Sequence, residues 1–101
     1  MKYRIIVRPE AEGDLSEAFL WYEDKRKGLG HDFLLHIDAG IRFIARNPNI
    51  YKSEYRDTRK HLVKRFPYKI IYLIHNESLI ILAVLHMRRN PALLKKRLRK
   101  L

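Results

Sequence analysis

The chain has 101 residues, 47% of them hydrophobic, which suffices for one domain with a thin core and excludes a disordered basic tail. It has no cysteine, so disulfides, thiolate catalysis and cysteine-based zinc sites are excluded, and its apolar runs fall short of the roughly 20 residues of a membrane span. The net charge of +11 lies wholly in the second half, because residues 1–50 hold 8 Lys/Arg and 8 Asp/Glu whereas residues 51–101 hold 14 and 3.

The first half of the chain predicts a strand followed by a helical hairpin. Side chains alternate between two faces over Tyr3–Val7, as in a short strand. A proline then opens a helix over residues 9–27, whose acidic first turns and basic last turn complement the helix dipole. The Gly28–Gly30 segment predicts a tight turn into a second helix over residues 31–46, which ends before a proline.

The second half predicts three strands. Residues 49–57 are polar and lack a clear period, so we expect a loop, and alternation over residues 58–66 predicts a strand. Two apolar runs, Tyr68–Ile74 and Leu79–Leu85, are joined by four polar residues and predict a β-hairpin. The run over Leu79–Leu85 is apolar on both faces, which places it in the middle of the sheet.

The last residues, 92–101, carry Leu94, Leu98 and Leu101 at helical spacing with five Lys/Arg between them. This pattern predicts a short basic amphipathic helix, or a tail that becomes helical when bound. The whole order, β-αα-βββ, predicts a single α+β domain over residues 1–101. Its small antiparallel-rich sheet packs on one face against the helical hairpin.

Five segments then point to a known family. They are, in order, RPEAEGDLSEAFLWYED, GLGHDFL, ARNPNIY, KRFPYKIIY and AVLHMRRNP. In this order and spacing, from Arg8 to Pro91, the chain resembles the RelE/ParE superfamily of toxins from type II toxin–antitoxin, or plasmid stabilisation, systems. The resemblance implies a fold like the one predicted above. It also implies one of two activities, ribosome-dependent mRNA cleavage in the RelE-like branch or poisoning of DNA gyrase in the ParE-like branch. The residues of these segments are more similar to those of the ParE-like branch.

A metal-independent endoribonuclease would need a proton carrier and cations around the scissile phosphate. The candidates are His86, at the end of the last predicted strand, with Arg65 and Arg88. RelE-like nucleases carry a Tyr or His shortly after the last strand, and the segment after Asn90 has neither. Without an acidic neighbour in sequence, His86 is more simply a surface histidine. The lack of a Tyr or His after Asn90 favours gyrase as the target.

A binding surface needs only the cations. The candidates for binding the target or nucleic acid are Arg59, Lys64, Arg65, Lys69, Arg88 and Arg89. Three hypotheses use them: a gyrase poison, a ribosome-dependent nuclease, and a non-catalytic nucleic-acid-binding module that follows phosphates. His31 and His36 are not on one helical face, so we expect no metal site, and we expect no cofactor.

The resemblance also implies an acidic antitoxin, which suits the one-sided charge of the chain. We expect its helix or strand to lie on exposed apolar surface near Trp21 or on the edge of the sheet. A homodimer is possible from the sequence. The N-terminal segment has no signal-peptide core because Arg8 and Glu10 come too soon, so we expect a cytoplasmic protein with no membrane partner.

Overall fold

A four-stranded sheet lies at the centre of the computed structural model, which describes residues 2–99. The elements are β1 (Arg4–Val7), α1 (Pro9–Lys25), α2 (Leu29–Arg46), β2 (Arg59–Leu62), β3 (Tyr68–His75), β4 (Ser78–His86) and α3 (Ala92–Leu98). The order across the sheet is β1-β4-β3-β2, with β1 parallel to β4 and the other pairs antiparallel. The predicted α+β architecture and the central place of the last strand are confirmed.

Helices α1 and α2 cover one face of the sheet. Their apolar stripes bury Ala11 and Ala18 from α1 and aliphatic and aromatic side chains from α2. The α2 contribution is Phe33, Ile37 and Ile44, and the sheet contributes Ile70, Tyr72, Leu79, Ile81 and Val84. The Tyr72 hydroxyl donates a hydrogen bond to the carbonyl of Pro48 at 2.9 Å, which ties the end of the helical hairpin to β3.

The turn between α1 and α2 differs from the predicted one at both ends. Helix α1 ends at Lys25 instead of residue 27, and α2 begins at Leu29 instead of His31. The carboxylate of Glu23 accepts hydrogen bonds from the backbone N–H groups of Gly28 and Gly30, each at 2.9 Å, and these bonds lower the pKa of Glu23. This cap satisfies free donors at the start of α2, so the helix extends further back.

Strand β2 is shorter than predicted, because it ends at Leu62 and not near residue 66. Residues 63–67 instead form the loop of the β2–β3 hairpin, in which Arg65 has φ of 70°. The loop closes where the Val63 N–H donates to the carbonyl of Tyr68 at 2.9 Å. The β3–β4 turn is also tighter than predicted, with two residues between the strands in place of four.

Helix α3 covers part of the opposite face of the sheet, for which the sequence had suggested no covering element. Leu98 is buried, and Leu93 and Leu94 are partly buried against Ile71 and Leu85. The helix therefore forms and docks within the chain itself, and the alternative of a tail that folds only on binding is wrong. Leu101, which was expected to extend the stripe, lies outside the described residues. None of the helices seen over residues 2–99 is long and apolar enough to cross a membrane.

Candidate functional site

A pocket of about 210 Å³ opens beside α3, on the face of the sheet away from the helical hairpin. Its apolar floor is formed by Ile71, Leu85 and Leu94. We call it the cationic pocket because its lining includes the charged side chains of Lys60, Lys69, Arg89 and Lys95. Glu54 is the acidic residue of its lining, and it lies 3.8 Å from the Lys60 Nζ. The pocket thus combines an apolar floor with an excess of positive charge.

The pairing of β2 with β3 places two of these lysines. Lys60 lies opposite Ile71, and Leu62 lies opposite Lys69. Because directly paired residues point to the same face of a sheet, Lys60 and Lys69 share the face on which Ile71 packs against α3. Arg89 follows the end of β4, and Lys95 comes from α3. The pocket therefore exists only when α3 is docked.

Arg59 lines the same pocket but has a structural contact of its own. Its guanidinium donates a hydrogen bond to the carbonyl of Tyr51 at 3.0 Å. Burial raises the pKa of Tyr72 to about 12, and the positive charge of Arg59 opposes that shift. Of the six predicted binding cations, Lys69 and Arg89 therefore meet at the pocket, whereas Arg59 is paired with Tyr72 on the other face of the sheet and holds the loop before β2.

The other three predicted cations, Lys64, Arg65 and Arg88, are exposed at one end of the sheet. Lys64 and Arg65 lie in the β2–β3 loop, and Arg88 lies in the segment after β4. The Met87 N–H donates to the carbonyl of Pro67 at 2.8 Å, which holds these two segments side by side. Apart from Arg59, the predicted cations thus form two neighbouring groups joined through Arg88 and Arg89.

The residues predicted for catalysis are not assembled into a catalytic group. The Nδ1 atom of His86 accepts a hydrogen bond from the backbone N–H of Arg88 at 3.1 Å, and its ring packs edge-on against Tyr68. Within the described part of the chain, no hydrogen bond or ion pair joins the side chains of His86, Arg65 and Arg88. With Nδ1 occupied, a neutral His86 carries its proton on Nε2, which then donates and cannot accept. His, Asp and Glu side chains of residues 2–99 also form no group of three that could hold a metal.

A second, larger groove of about 790 Å³ runs between α1 and β4. It arises because β1 ends where Val7 pairs with Ile81, so that within the described sheet the edge of β4 beyond this point faces α1. Two large apolar side chains of this α1–β4 groove are exposed, Leu20 at 66% and Trp21 at 56%. Arg89 lines both this groove and the cationic pocket. Sequence reasoning singled out Trp21 but missed Leu20 and the groove.

An ion pair at the end of the groove holds α3 in place. Both terminal nitrogens of Arg97 donate to the carboxylate of Asp14, each at 2.7 Å, and Asp14 also accepts from the backbone N–H of Val84 at 2.9 Å. The hydrogen bonds to Asp14 raise the pKa of Arg97. Sequence reasoning missed this pair, although the place of Asp14 between Ala11 and Ala18 on the buried stripe of α1 was a signal, since a carboxylate there needs a partner.

Comparisons with known proteins agree on one family. The family model described as the ParE toxin of type II toxin-antitoxin system, parDE, matches residues 5–91. The chain is similar to Toxin ParE2 of Mycobacterium tuberculosis, strains CDC 1551/Oshkosh and H37Rv, with 32% identity over 92 residues that cover 90% of this chain and 88% of each relative. A solved structure titled as the chromosomal ParDE TA system from P. aeruginosa superposes with a TM-score of 0.72 at 15% identity, covering 82% of this chain and 94% of that one. At that identity the superposition supports the fold.

Proposed function

Since the chain belongs to the ParE family of toxins from type II toxin–antitoxin systems, we propose that its target is DNA gyrase and that it acts by binding. The surface that engages the target is the cationic pocket together with Lys64, Arg65 and Arg88. The observation that carries this proposal is that these cations lie on neighbouring segments, whereas the ring of His86 has its Nδ1 occupied by the Arg88 N–H. Binding requires only the cations, and RNA cleavage also requires a histidine that is free to accept a proton.

The position of His86 supports binding over cleavage. A general base must reach the 2′-hydroxyl of RNA with a free lone pair. The free ring nitrogen of a neutral His86 carries the proton, because the Arg88 backbone occupies Nδ1. His86 also lies in the α1–β4 groove, whereas Lys69 lies in the cationic pocket on the α3 side. Cleavage would require the His86 ring to leave its hydrogen bond with the Arg88 backbone.

The charge of the second half supports an anionic target. Lys60 has a weak ion pair with Glu54, but Lys64, Arg65, Arg88 and Arg89 are exposed at the end of the sheet. Clustered cations raise the local potential and speed association with a negatively charged partner. A complex of gyrase with DNA presents such a target.

An antitoxin is the partner that membership of a ParDE-type system implies. We place its contact in the α1–β4 groove, where Leu20 and Trp21 expose apolar surface beside Arg89 and Arg97. A segment with apolar anchors and acidic flanks would fit this lining. Because Arg89 lines both sites, an antitoxin in the groove would also cover part of the cationic pocket.

The placement of the antitoxin has a matched test. Leu20 and Leu35 are both 66% exposed on helices, but only Leu20 lines the groove. We expect Leu20→Ala to weaken binding of the cognate acidic antitoxin by about tenfold, as for an anchoring side chain, and Leu35→Ala to leave it unchanged within about twofold. Isothermal titration of the purified partners measures both. Equal effects of the two substitutions would exclude the groove as the contact.

The target is tested by two reactions with the purified chain. With gyrase, ATP and supercoiled plasmid, we expect cleaved DNA to accumulate after detergent and protease treatment, and added antitoxin to prevent it. In a ribosome-containing translation extract, we expect the mRNA to stay intact. Cleaved mRNA without an effect on gyrase would instead establish a ribosome-dependent nuclease.

A further inference from the structure

The cationic pocket combines an apolar floor, cationic side chains and the aromatic ring of Tyr55. This combination suits a nucleotide better than a bare anion. We propose that the pocket binds one nucleotide of a nucleic-acid strand, with the base on the apolar floor and the phosphates on Lys69, Arg89 and Lys95. This inference rests on the proposed function only for the source of the strand, which is then the DNA held by gyrase.

The size and floor of the pocket fit a single base. Its volume of about 210 Å³ is below the roughly 300–1,000 Å³ of sites for drug-sized ligands, so only part of a polymer can enter. Ile71, Leu85 and Leu94 offer aliphatic surface to a planar ring. A bare phosphate would gain nothing from this floor, because it loses hydration there without forming hydrogen bonds.

Tyr55 stands beside this floor with 47% of its surface exposed. The Lys95 Nζ lies 5.3 Å from the centroid of its ring. Aromatic rings next to cations are a common arrangement in proteins that bind single strands, because a base stacks on the ring while a lysine meets the phosphate. In this proposal Lys95 moves from the Tyr55 ring to a phosphate as the base stacks on the ring.

Glu54 and Asn90 favour a nucleotide over an acidic peptide. The Glu54 carboxylate in the lining would repel an Asp or Glu side chain, but it can accept a hydrogen bond from the amino group of a base. The Oδ1 atom of Asn90 accepts from the Ala92 N–H, which leaves the amide N–H₂ of Asn90 as its donor for a ligand. A nucleotide holds its charge apart from its base, so it can satisfy the cations and Glu54 at once.

The strand also has a path out of the pocket. Arg89 is preceded in the chain by Arg88, and the Met87–Pro67 hydrogen bond brings this segment next to the loop with Lys64 and Arg65. These exposed cations continue the positive surface beyond the pocket. Phosphates on either side of the bound nucleotide would meet them.

The test measures binding of a fluorescently labelled single-stranded DNA oligonucleotide to the full chain by anisotropy at several salt concentrations. The double variant Lys69→Gln with Lys95→Gln removes two pocket charges, and Lys27→Gln with Lys52→Gln removes two exposed charges outside the pocket. We expect the pocket variant to bind about tenfold more weakly or worse, and its salt slope to fall by about 0.7 for each phosphate that it no longer neutralises. The control variant should match the affinity and the salt slope of the wild type.

A second variant separates a nucleotide from other polyanions. Tyr55→Leu should weaken oligonucleotide binding by roughly fivefold or more because a base can no longer stack there, and leave binding of inorganic polyphosphate unchanged. Equally weakened binding in the pocket and control variants, or tighter binding of polyglutamate than of the oligonucleotide, would overturn the inference. Trapping of gyrase–DNA complexes by a pocket variant that no longer binds the oligonucleotide would overturn the assignment of the strand to the DNA held by gyrase, while leaving gyrase as the target.

Discussion

His61 lies buried between α2 and the sheet, with its Nδ1 atom 2.7 Å from the hydroxyl of Tyr51. Burial, and secondarily the charge of Lys64, lower the pKa of His61. The folded chain therefore holds a neutral imidazole, whereas the unfolded chain protonates His61 near its ordinary pKa of about 6.5. The contribution of the neutral His61 to the free energy of unfolding is fully present above that pH. It is lost as the pH falls from about 6.5 toward the lower pKa of the folded state.

The chain should thus lose stability between about pH 7.5 and pH 5.5, by at most about 1.4 kcal/mol per pH unit for one proton. His61→Gln should remove most of this dependence, and His75→Gln, at the exposed end of β3, should retain it. Urea unfolding at the two pH values measures the free energies. A wild-type stability that does not change over this range would contradict a buried neutral His61.

We expect one substitution in the Asp14–Arg97 pair to lower the free energy of unfolding strongly. Only 12% of the Asp14 side chain and 17% of the Arg97 side chain are exposed. Asp14→Asn leaves a nearly buried guanidinium without its counter-charge, so we expect the free energy of unfolding to fall by about 3 kcal/mol. The control is Asp38→Asn, since Asp38 contacts Arg42 at 3.0 Å with more than half of each side chain exposed, and it should cost less than about 1 kcal/mol. Similar losses in both variants by chemical denaturation would contradict a buried ion pair that stabilises the fold.

At the scale of elements, the close approach of α2 to the sheet depends on Gly40. A methyl group there would lie 2.9 Å from the Cδ1 atom of Ile70 and 3.1 Å from the ring of His61. Gly40→Ala should therefore destabilise the fold by about 1–3 kcal/mol through overpacking. Gly13→Ala, on an exposed part of α1 where no described side chain or loop is within 4 Å, should instead stabilise it by about 0.5–1 kcal/mol. Thermal unfolding of both variants checks the opposite signs, and equal signs would refute the packing argument.

The existence and order of the elements could be predicted because hydrophobic periodicity and turn residues are local signals. The start of α2 and the end of β2 could not. The start of α2 depends on Glu23 reaching two backbone amides across the turn, and the end of β2 depends on Arg65 adopting a positive φ of 70° that its residue type does not suggest. Both boundaries are set by tertiary contacts or by loop geometry.

For the whole molecule, the asymmetry of charge was visible in the sequence, and the site was visible only in part. Lys69 and Arg89 were expected to contribute, but Lys95 and Tyr55 were not. Their meeting requires α3 to dock on the sheet, and the contact that fixes α3 joins residues 14 and 97. No local pattern encodes a contact at that separation.

The two concave surfaces of the molecule meet at Arg89, which lines both the α1–β4 groove and the cationic pocket. Helix α3 lies between them, with Arg97 in the groove and Lys95 in the pocket. An antitoxin bound in the groove would therefore neutralise the positive surface next to it without filling the pocket. This arrangement links neutralisation to the same residues that we propose engage the target.

Gyrase-dependent DNA cleavage tests the central claim most directly when the wild type is compared with two variants of equal net charge. Lys69→Gln with Arg89→Gln removes charge from the cationic pocket, and Lys27→Gln with Lys52→Gln removes it elsewhere. We predict that the wild type and the second variant trap cleaved plasmid with purified gyrase, and that the first variant does not, although both variants keep the wild-type circular dichroism spectrum. Trapping by all three proteins, or by none of them, would contradict a cationic surface that engages gyrase.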